Sequence, residues 1–119
     1  MYLIATPVYR ASFTASLKNL LDLVPVEGLM GKVCGFFAMG ATGNHYLAID
    51  SPLRPVLAWF GAHLVPGQVY LKSQHFQDGK LAEPEAIAGL ETLGRSVIAL
   101  HKSLAGNAES AGPPPLAAG

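Results

Sequence analysis

The alternation of two residue patterns constrains the fold of this chain more than any other feature. Three short, mostly apolar runs occupy residues 2–6, 32–39 and 64–71. Runs of this length are typical of strands that are buried on both faces, as in a parallel sheet. Pro7 follows the first run, and that strand is expected to end there because proline has no N–H group to donate to a neighbouring strand.

Each run is followed by a segment whose apolar residues recur every three or four positions, the spacing of an amphipathic helix. These segments are residues 17–24, 45–62 and 83–104. Pro52 and Pro55 lie in the second segment, so we expect that helix to be kinked or broken after its first turn.

Shorter signals complete the pattern. Ser12 or Thr14 can cap the first helix, residues 40–44 form a glycine-bearing turn, and Asp78-Gly79 indicates a hairpin turn. The order β-α-β-α-β-α predicts an α/β fold, with helices on both faces of a parallel sheet. We predict one domain over residues 1–105. The Ala/Gly/Pro-rich residues 106–119 are expected to form a disordered tail.

Composition narrows the possible partners. Eight Lys and Arg residues balance eight Asp and Glu residues, so no strong field attracts nucleic acid or an anionic membrane. No apolar run reaches the roughly 18 residues that a transmembrane helix needs. Half of the chain is hydrophobic and only 13% is charged, which favours a homo-oligomer. The single cysteine and a start unlike a signal peptide lead us to expect the cytoplasm.

Two loops are the candidate binding segments, because ligands of parallel sheets bind at the carboxyl ends of the strands. Residues 7–13 offer backbone N–H groups, a hydroxyl and the ring of Tyr9, a combination that suits a flat heteroaromatic ligand. Residues 40–45 carry glycines that let the backbone approach a ligand closely. Taken alone, the first loop is equally compatible with a plain connection, and a glycine turn such as the second loop is more often one. The second loop matches neither a dinucleotide-binding fingerprint nor a Walker A loop.

The remaining reactive side chains indicate no other chemistry. The four histidines lack metal-ligand spacing, so we expect no metal site. His45, beside the glycine turn, is the one histidine that we consider as a binding residue. Cys34 lies inside an apolar run and is expected in the core. No Gly-x-Ser-x-Gly elbow is present, and we assign no catalytic side chain.

Taken together, the two loops resemble a known family. Residues 5–22, ATPVYRASFTASLKNLLD, are similar to a strand, loop and helix of the NADPH-dependent FMN reductases. GKV at residues 31–33 and MGATGNH at residues 39–45 resemble the second flavin loop of that family. Within the family, the likeness is greatest to the flavin reductases of two-component sulfonate monooxygenases.

The resemblance implies a flavodoxin-like three-layer fold in which NAD(P)H passes hydride to N5 of FMN, and reduced flavin is supplied to a partner monooxygenase. The cofactor carries this chemistry, so no protein nucleophile is needed. It also implies which residues contact the flavin ring: Thr6, Pro7, Val8 and Tyr9 along the ring, Gly40, Ala41, Thr42 and His45 at its pyrimidine edge, and Ser12 as a further candidate.

The resemblance has two departures. Family members begin with two further strand-helix units, including the Ser/Gly-rich loop that binds the FMN phosphate, and this sequence contains neither unit. We therefore expect impaired FMN binding and an unpaired edge on the strand at residues 2–6, open to another chain. Ser51-Pro52 stands where some relatives carry an aromatic residue. An NAD(P)H quinone or azo reductase, or a non-catalytic flavodoxin-like fragment, are the alternatives.

Overall fold

A four-stranded parallel sheet forms the centre of the molecule. The structure is a computed structural model and describes residues 1–47, 49–108, 110–113 and 115–118. Strand β2 (Val33–Gly40) pairs with β1 (Tyr2–Pro7) on one side. On its other side it pairs with β3 (His63–Leu64) near its start and with β4 (Val69–Lys72) near its end. The parallel sheet confirms the predicted fold class.

Helices cover both faces of this sheet. Alternate residues of β2 face opposite layers: Phe36 packs in a cluster with α1 and α3, and Val33 packs with Val97 of α4. The chain is therefore a three-layer α/β/α arrangement. In the described residues the α-helices are α1 (Ala15–Leu23), α2 (Val26–Leu29), α3 (Asp50–Trp59) and α4 (Pro84–Ser103).

Several predicted elements are confirmed. The terminal helix predicted over residues 83–104 is α4, which starts with Pro84 at a position where the missing N–H group costs nothing. The predicted hairpin is formed by β5 (Phe76–Gln77) and β6 (Lys80–Leu81). Of the two predicted caps, Thr14 is the one that acts, since its side chain accepts from the N–H of Leu17.

The strand predicted over residues 64–71, with an irregular entry at Pro66-Gly67, is divided into two strands, because residues 65–68 separate β3 from β4. Pro66 has no N–H group for a ladder, and Gly67 has a φ of 75° that a strand does not allow. The carbonyl of Val65 instead accepts from the Arg54 guanidinium at 3.3 Å, and Arg54 is paired with Asp50 at 2.6 Å. Arg54 thus ties this connection to α3, while the N–H group of Val65 still donates to the carbonyl of Cys34 in β2 at 3.1 Å.

The helix predicted over residues 45–62 is also corrected. A short 3-10 turn covers Gly43–His45, and α3 begins only at Asp50. Pro52 then falls in the first turn of α3, where backbone N–H groups have no helical partner. The helix continues through Pro55. The break that we expected at the prolines is therefore absent from α3, and the interruption of the predicted helix lies before Asp50. Ala48 lies outside the described residues.

The two ends of the chain differ in how they meet the sheet. On its outer side β1 pairs with no strand of the described residues, and Leu3 is 52% exposed. At the other end, the His63 ring is hydrogen-bonded to the carbonyl of Ala108 at 2.5 Å. The disorder expected for residues 106–119 stays a prediction, and Glu109, Pro114 and Gly119 lie outside the described residues. No helix in the described part of the chain has the length and hydropathy to cross a bilayer.

Candidate functional site

The two candidate loops leave the same edge of the sheet side by side. Because β1 and β2 are parallel and Pro7 pairs with Met39, both strands end at the same level. The N–H group of Val8 donates to the carbonyl of Met39 at 2.7 Å, which joins the first loop directly to the end of β2. The structure therefore brings Val8 and its neighbours next to Gly40 and Ala41, as the sequence predicted.

The first loop is a tight turn. Tyr9 and Ser12 exchange two backbone hydrogen bonds of 3.0 and 3.2 Å, and the two residues between them, Arg10 and Ala11, have φ values of 52° and 63°. Two successive residues with positive φ are the signature of a type I′ turn. The turn leaves the side chain of Tyr9 66% exposed at the end of the sheet.

Thr6 supports this turn from beneath. Its side chain is buried, its hydroxyl donates to the carbonyl of Pro7 at 2.9 Å, and it accepts from the N–H group of Thr14 at 3.3 Å. Both hydrogen bonds are internal to the protein. Thr6 thus connects the end of β1 to the start of α1, and its hydroxyl acts on the shape of the loop.

The second loop presents backbone donors. Gly40 is buried at the end of β2, whereas the following residues are exposed. Within the described part of the chain, the N–H groups of Ala41, Thr42 and Gly43 donate to no acceptor. The small side chains leave this stretch of backbone open. His45, at the end of the 3-10 turn, is exposed as well.

Tyr70 is a residue of this region that the sequence analysis did not single out as functional. It lies on β4 opposite Ala38 of β2, and its hydroxyl donates to the carbonyl of Thr42 at 2.8 Å. Burial raises the pKa of Tyr70, so the hydroxyl keeps its proton at neutral pH. One feature of the sequence could have indicated Tyr70: it is an aromatic residue near the carboxyl end of the strand that pairs with β2.

A polar cleft of about 510 Å³ adjoins the second loop. Its charged lining residues are Lys72, Glu83 and Glu85, and His75 lies beside them. A larger cavity of about 660 Å³ lies between α1 and α3 and contains no residue of either loop. The cleft is the one of the two that is continuous with the candidate site.

These residues suit the ring of a flavin. A flavin ring has two apolar faces and a polar edge of acceptor atoms, which becomes more negative on reduction. Tyr9 offers exposed apolar surface, Val8 is half-buried against the core behind it, and the free N–H groups at residues 41–43 are donors for such an edge. Among the described residues, no group of three His, Cys, Asp or Glu side chains could hold a metal ion.

Known proteins with similar sequences show the family of this chain. The sequence profile described as NADPH-dependent FMN reductase matches residues 1–76. An NAD(P)H-dependent FAD/FMN reductase of Geobacillus thermodenitrificans is 40% identical over 104 residues, covering 87% of this chain and 56% of that protein. The NADH-dependent FMN reductase SfnF of Pseudomonas putida is 38% identical over 91 residues, covering 76% of this chain and 49% of that protein.

A solved structure agrees with the fold. The apo form of the NADH:FMN oxidoreductase EmoB superposes with a TM-score of 0.63 at 30% identity, covering 85% of this chain and 51% of that chain. The chain spans about half the length of the relatives that it matches. The profile covers more than half of the chain, and the parallel sheet agrees with the fold of the solved relative. This chain belongs to the NADPH-dependent FMN reductase family and has its flavodoxin-like α/β fold.

Proposed function

We propose that this chain carries the ring-binding part of an NAD(P)H-dependent FMN reductase. FMN, when bound, supplies the chemistry by accepting hydride from NAD(P)H at N5. The protein's task is to bind and orient the ring. The proposed cofactor-binding residues are Thr6, Pro7, Val8, Tyr9, Ser12, Gly40, Ala41, Thr42 and His45.

One observation carries this proposal: two loops that are each unremarkable in sequence lie side by side at the carboxyl end of a parallel sheet. One loop offers apolar and aromatic surface, and the other offers free N–H groups. This is the position at which open α/β sheets bind their ligands. A plain pair of connections needs neither the left-handed turn at Arg10 and Ala11 nor three unpartnered donors in a row.

The proposed binding residues have different roles. Tyr9 and Val8 give the ring an apolar surface. The N–H groups of residues 41–43 hold its acceptor edge and stabilise the negative charge that develops there on reduction. Thr6 acts indirectly, since its hydroxyl bonds only to Pro7 and Thr14 and so fixes the loop that carries Tyr9.

The wider role is also a proposal. We place the protein in the cytoplasm as a supplier of reduced flavin to a partner monooxygenase, on the strength of the sequence resemblance. We further propose that it works as a homo-oligomer, because large apolar side chains are exposed on α1 and α3. Leu20 is 58% exposed, Leu23 74% and Trp59 46%.

Flavin titration tests the ring-binding role. We expect FMN to show fluorescence quenching and a shifted visible absorption band when the folded protein is added. Tyr9→Ala should weaken binding about two- to tenfold, since an aromatic stacking contact contributes about 0.5–1.5 kcal/mol. Tyr2→Ala, on the exposed part of β1, is the matched control and should bind as the unmodified chain does.

Titration with riboflavin, which lacks the phosphate group of FMN, tests whether the site binds the flavin ring alone. Neither loop contains a lysine, and Arg10 is their only arginine. A site for the ring alone should bind riboflavin and FMN with similar affinity, whereas a phosphate site would favour FMN strongly. NADH and NADPH oxidation with FMN, a quinone and an azo dye as acceptors then separates an FMN reductase from a quinone or azo reductase. Folded protein that perturbs neither flavin would refute the proposed function.

A further inference from the structure

Tyr70 of β4 and Gly40 of β2 lie in close contact across the two paired strands. Gly40 ends β2 and is paired with Lys72 of β4, two residues beyond Tyr70. A Cβ atom at position 40 would overlap the hydroxyl oxygen of Tyr70 and lie 3.0 Å from its Cζ atom. The absence of a side chain at position 40 is therefore what lets the Tyr70 hydroxyl pass over the end of β2.

The hydroxyl that passes over Gly40 ends on the second loop, where it donates to the carbonyl of Thr42 at 2.8 Å. In a trans peptide the carbonyl and the following N–H group point in opposite directions. By holding the Thr42 carbonyl toward itself, Tyr70 turns the N–H group of Gly43 away, toward the open side of the loop. That N–H group is one of the three donors of the candidate site.

We propose that Tyr70 is a positioning residue for the flavin, which acts by fixing the direction of the Gly43 N–H group, and that Gly40 is required because it makes room for the Tyr70 hydroxyl. The inference rests on the proposed function in so far as the ligand is a flavin. The effect on the loop is independent of any ligand. Tyr70 itself needs no contact with the ring.

The first measurement follows the loop without ligand. Tyr70→Phe keeps the ring and removes the hydrogen bond, so the NMR order parameters of the backbone N–H groups at residues 42–43 should fall, toward the values below about 0.6 that mark flexible backbone. Tyr2→Phe removes a hydroxyl that has no hydrogen-bond partner among the described residues and should leave these amides unchanged. The melting temperatures should stay close, because one exposed-loop hydrogen bond contributes little to global stability. Unchanged order parameters in Tyr70→Phe would overturn the inference.

The second measurement follows binding. Tyr70→Phe should raise the FMN and riboflavin dissociation constants by about fivefold, the loss expected from one hydrogen bond. Gly40→Ala should weaken binding further, because the new methyl group displaces the hydroxyl and the loop with it. Combining Gly40→Ala with Tyr70→Phe should restore part of the loss, since the overlapping oxygen is gone.

The two proposals fail in different ways. If the unmodified chain binds no flavin, the proposed function is wrong, and the order parameters still decide whether Tyr70 orders the loop. If the chain binds flavin and Tyr70→Phe loosens the loop without changing either dissociation constant, the ring-binding role stands and the role of Tyr70 is overturned. An equal loss of binding in Tyr2→Phe would also overturn it.

Discussion

Arg10 and Ala11 hold the first loop in a conformation that neither residue type favours. Left-handed backbone at a residue other than glycine costs of order 1 kcal/mol or more and persists only where neighbouring contacts impose it. Here the contacts are the Val8 hydrogen bond to Met39 and the Thr6 hydrogen bond from Thr14. Such strain is concentrated at functional sites in proteins, which agrees with the proposed role of this loop.

Ala11→Gly tests whether the turn is strained. Glycine adopts a φ of 63° without steric cost, so we expect the free energy of unfolding to stay the same or to rise by up to about 1 kcal/mol. Ala99→Gly is the matched control, because Ala99 is exposed in the interior of α4 and its replacement should cost about 1 kcal/mol. Equal losses in urea unfolding would show that the turn is not strained.

The sequence indicated where this loop lies and not how it is shaped. Tyr9-Arg10-Ala11-Ser12 contains no Gly, Asn or Asp, which are the residues that announce a type I′ turn. The shape is imposed by hydrogen bonds to residues far along the chain, and local propensity cannot report those. Tyr70 was missed for the same reason, since its role depends on the register between β2 and β4.

At the scale of elements, β2 is the strand against which the helices on both faces of the sheet pack. Its Gly35 faces α4, and a Cβ atom there would lie 2.6 Å from Cγ2 of Val97 and 3.1 Å from Cδ1 of Leu93. The helix thus packs directly on the backbone of the strand. This close approach holds α4 against the middle of the sheet.

Gly35→Ala should separate α4 from β2. We expect a loss of about 1–3 kcal/mol in the free energy of unfolding, the usual cost of an added core methyl group. Gly94→Ala, in α4 itself, meets no atom within 4 Å and should raise stability by up to about 1 kcal/mol through helix propensity. Chemical unfolding of both variants tests the packing, and a neutral Gly35→Ala would contradict it.

The elements differ in how well periodicity predicted them. The long helix α4 was located to within a residue at each end, because its apolar spacing extends over twenty residues without a break. The segment at residues 64–71 looked like one strand, since an apolar run does not show that Arg54 holds the carbonyl of Val65. The start of α3 was missed because apolar residues continue through the connection before it.

At the scale of the whole molecule, Cys34 links proton binding to unfolding. Its side chain is completely buried in β2, and burial raises the pKa of the thiol from 9.0 to about 11. Between these two values the unfolded chain loses its thiol proton and the folded chain keeps it. The folded state therefore loses stability relative to the unfolded state as the pH rises from about 9 to about 11.

Urea unfolding across this pH range tests the linkage. The free energy of unfolding should fall by about 1.4 kcal/mol for each pH unit between the two pKa values, beyond any fall seen in Cys34→Ala. Below pH 9 the difference between the two proteins should be constant. A constant difference up to pH 11 would show that the thiol is exposed to solvent more than its burial in β2 implies.

The outer side of β1 is where a further strand could add residues to the candidate site. Strands β1, β2 and β4 all end near the level of Pro7 and Gly40. A further strand laid in parallel along β1 would bring its own carboxyl end to that level, and the residues after it would extend the wall beside Tyr9. A further parallel strand would thus add residues that can contact a ligand, and the two loops already present could keep their conformations.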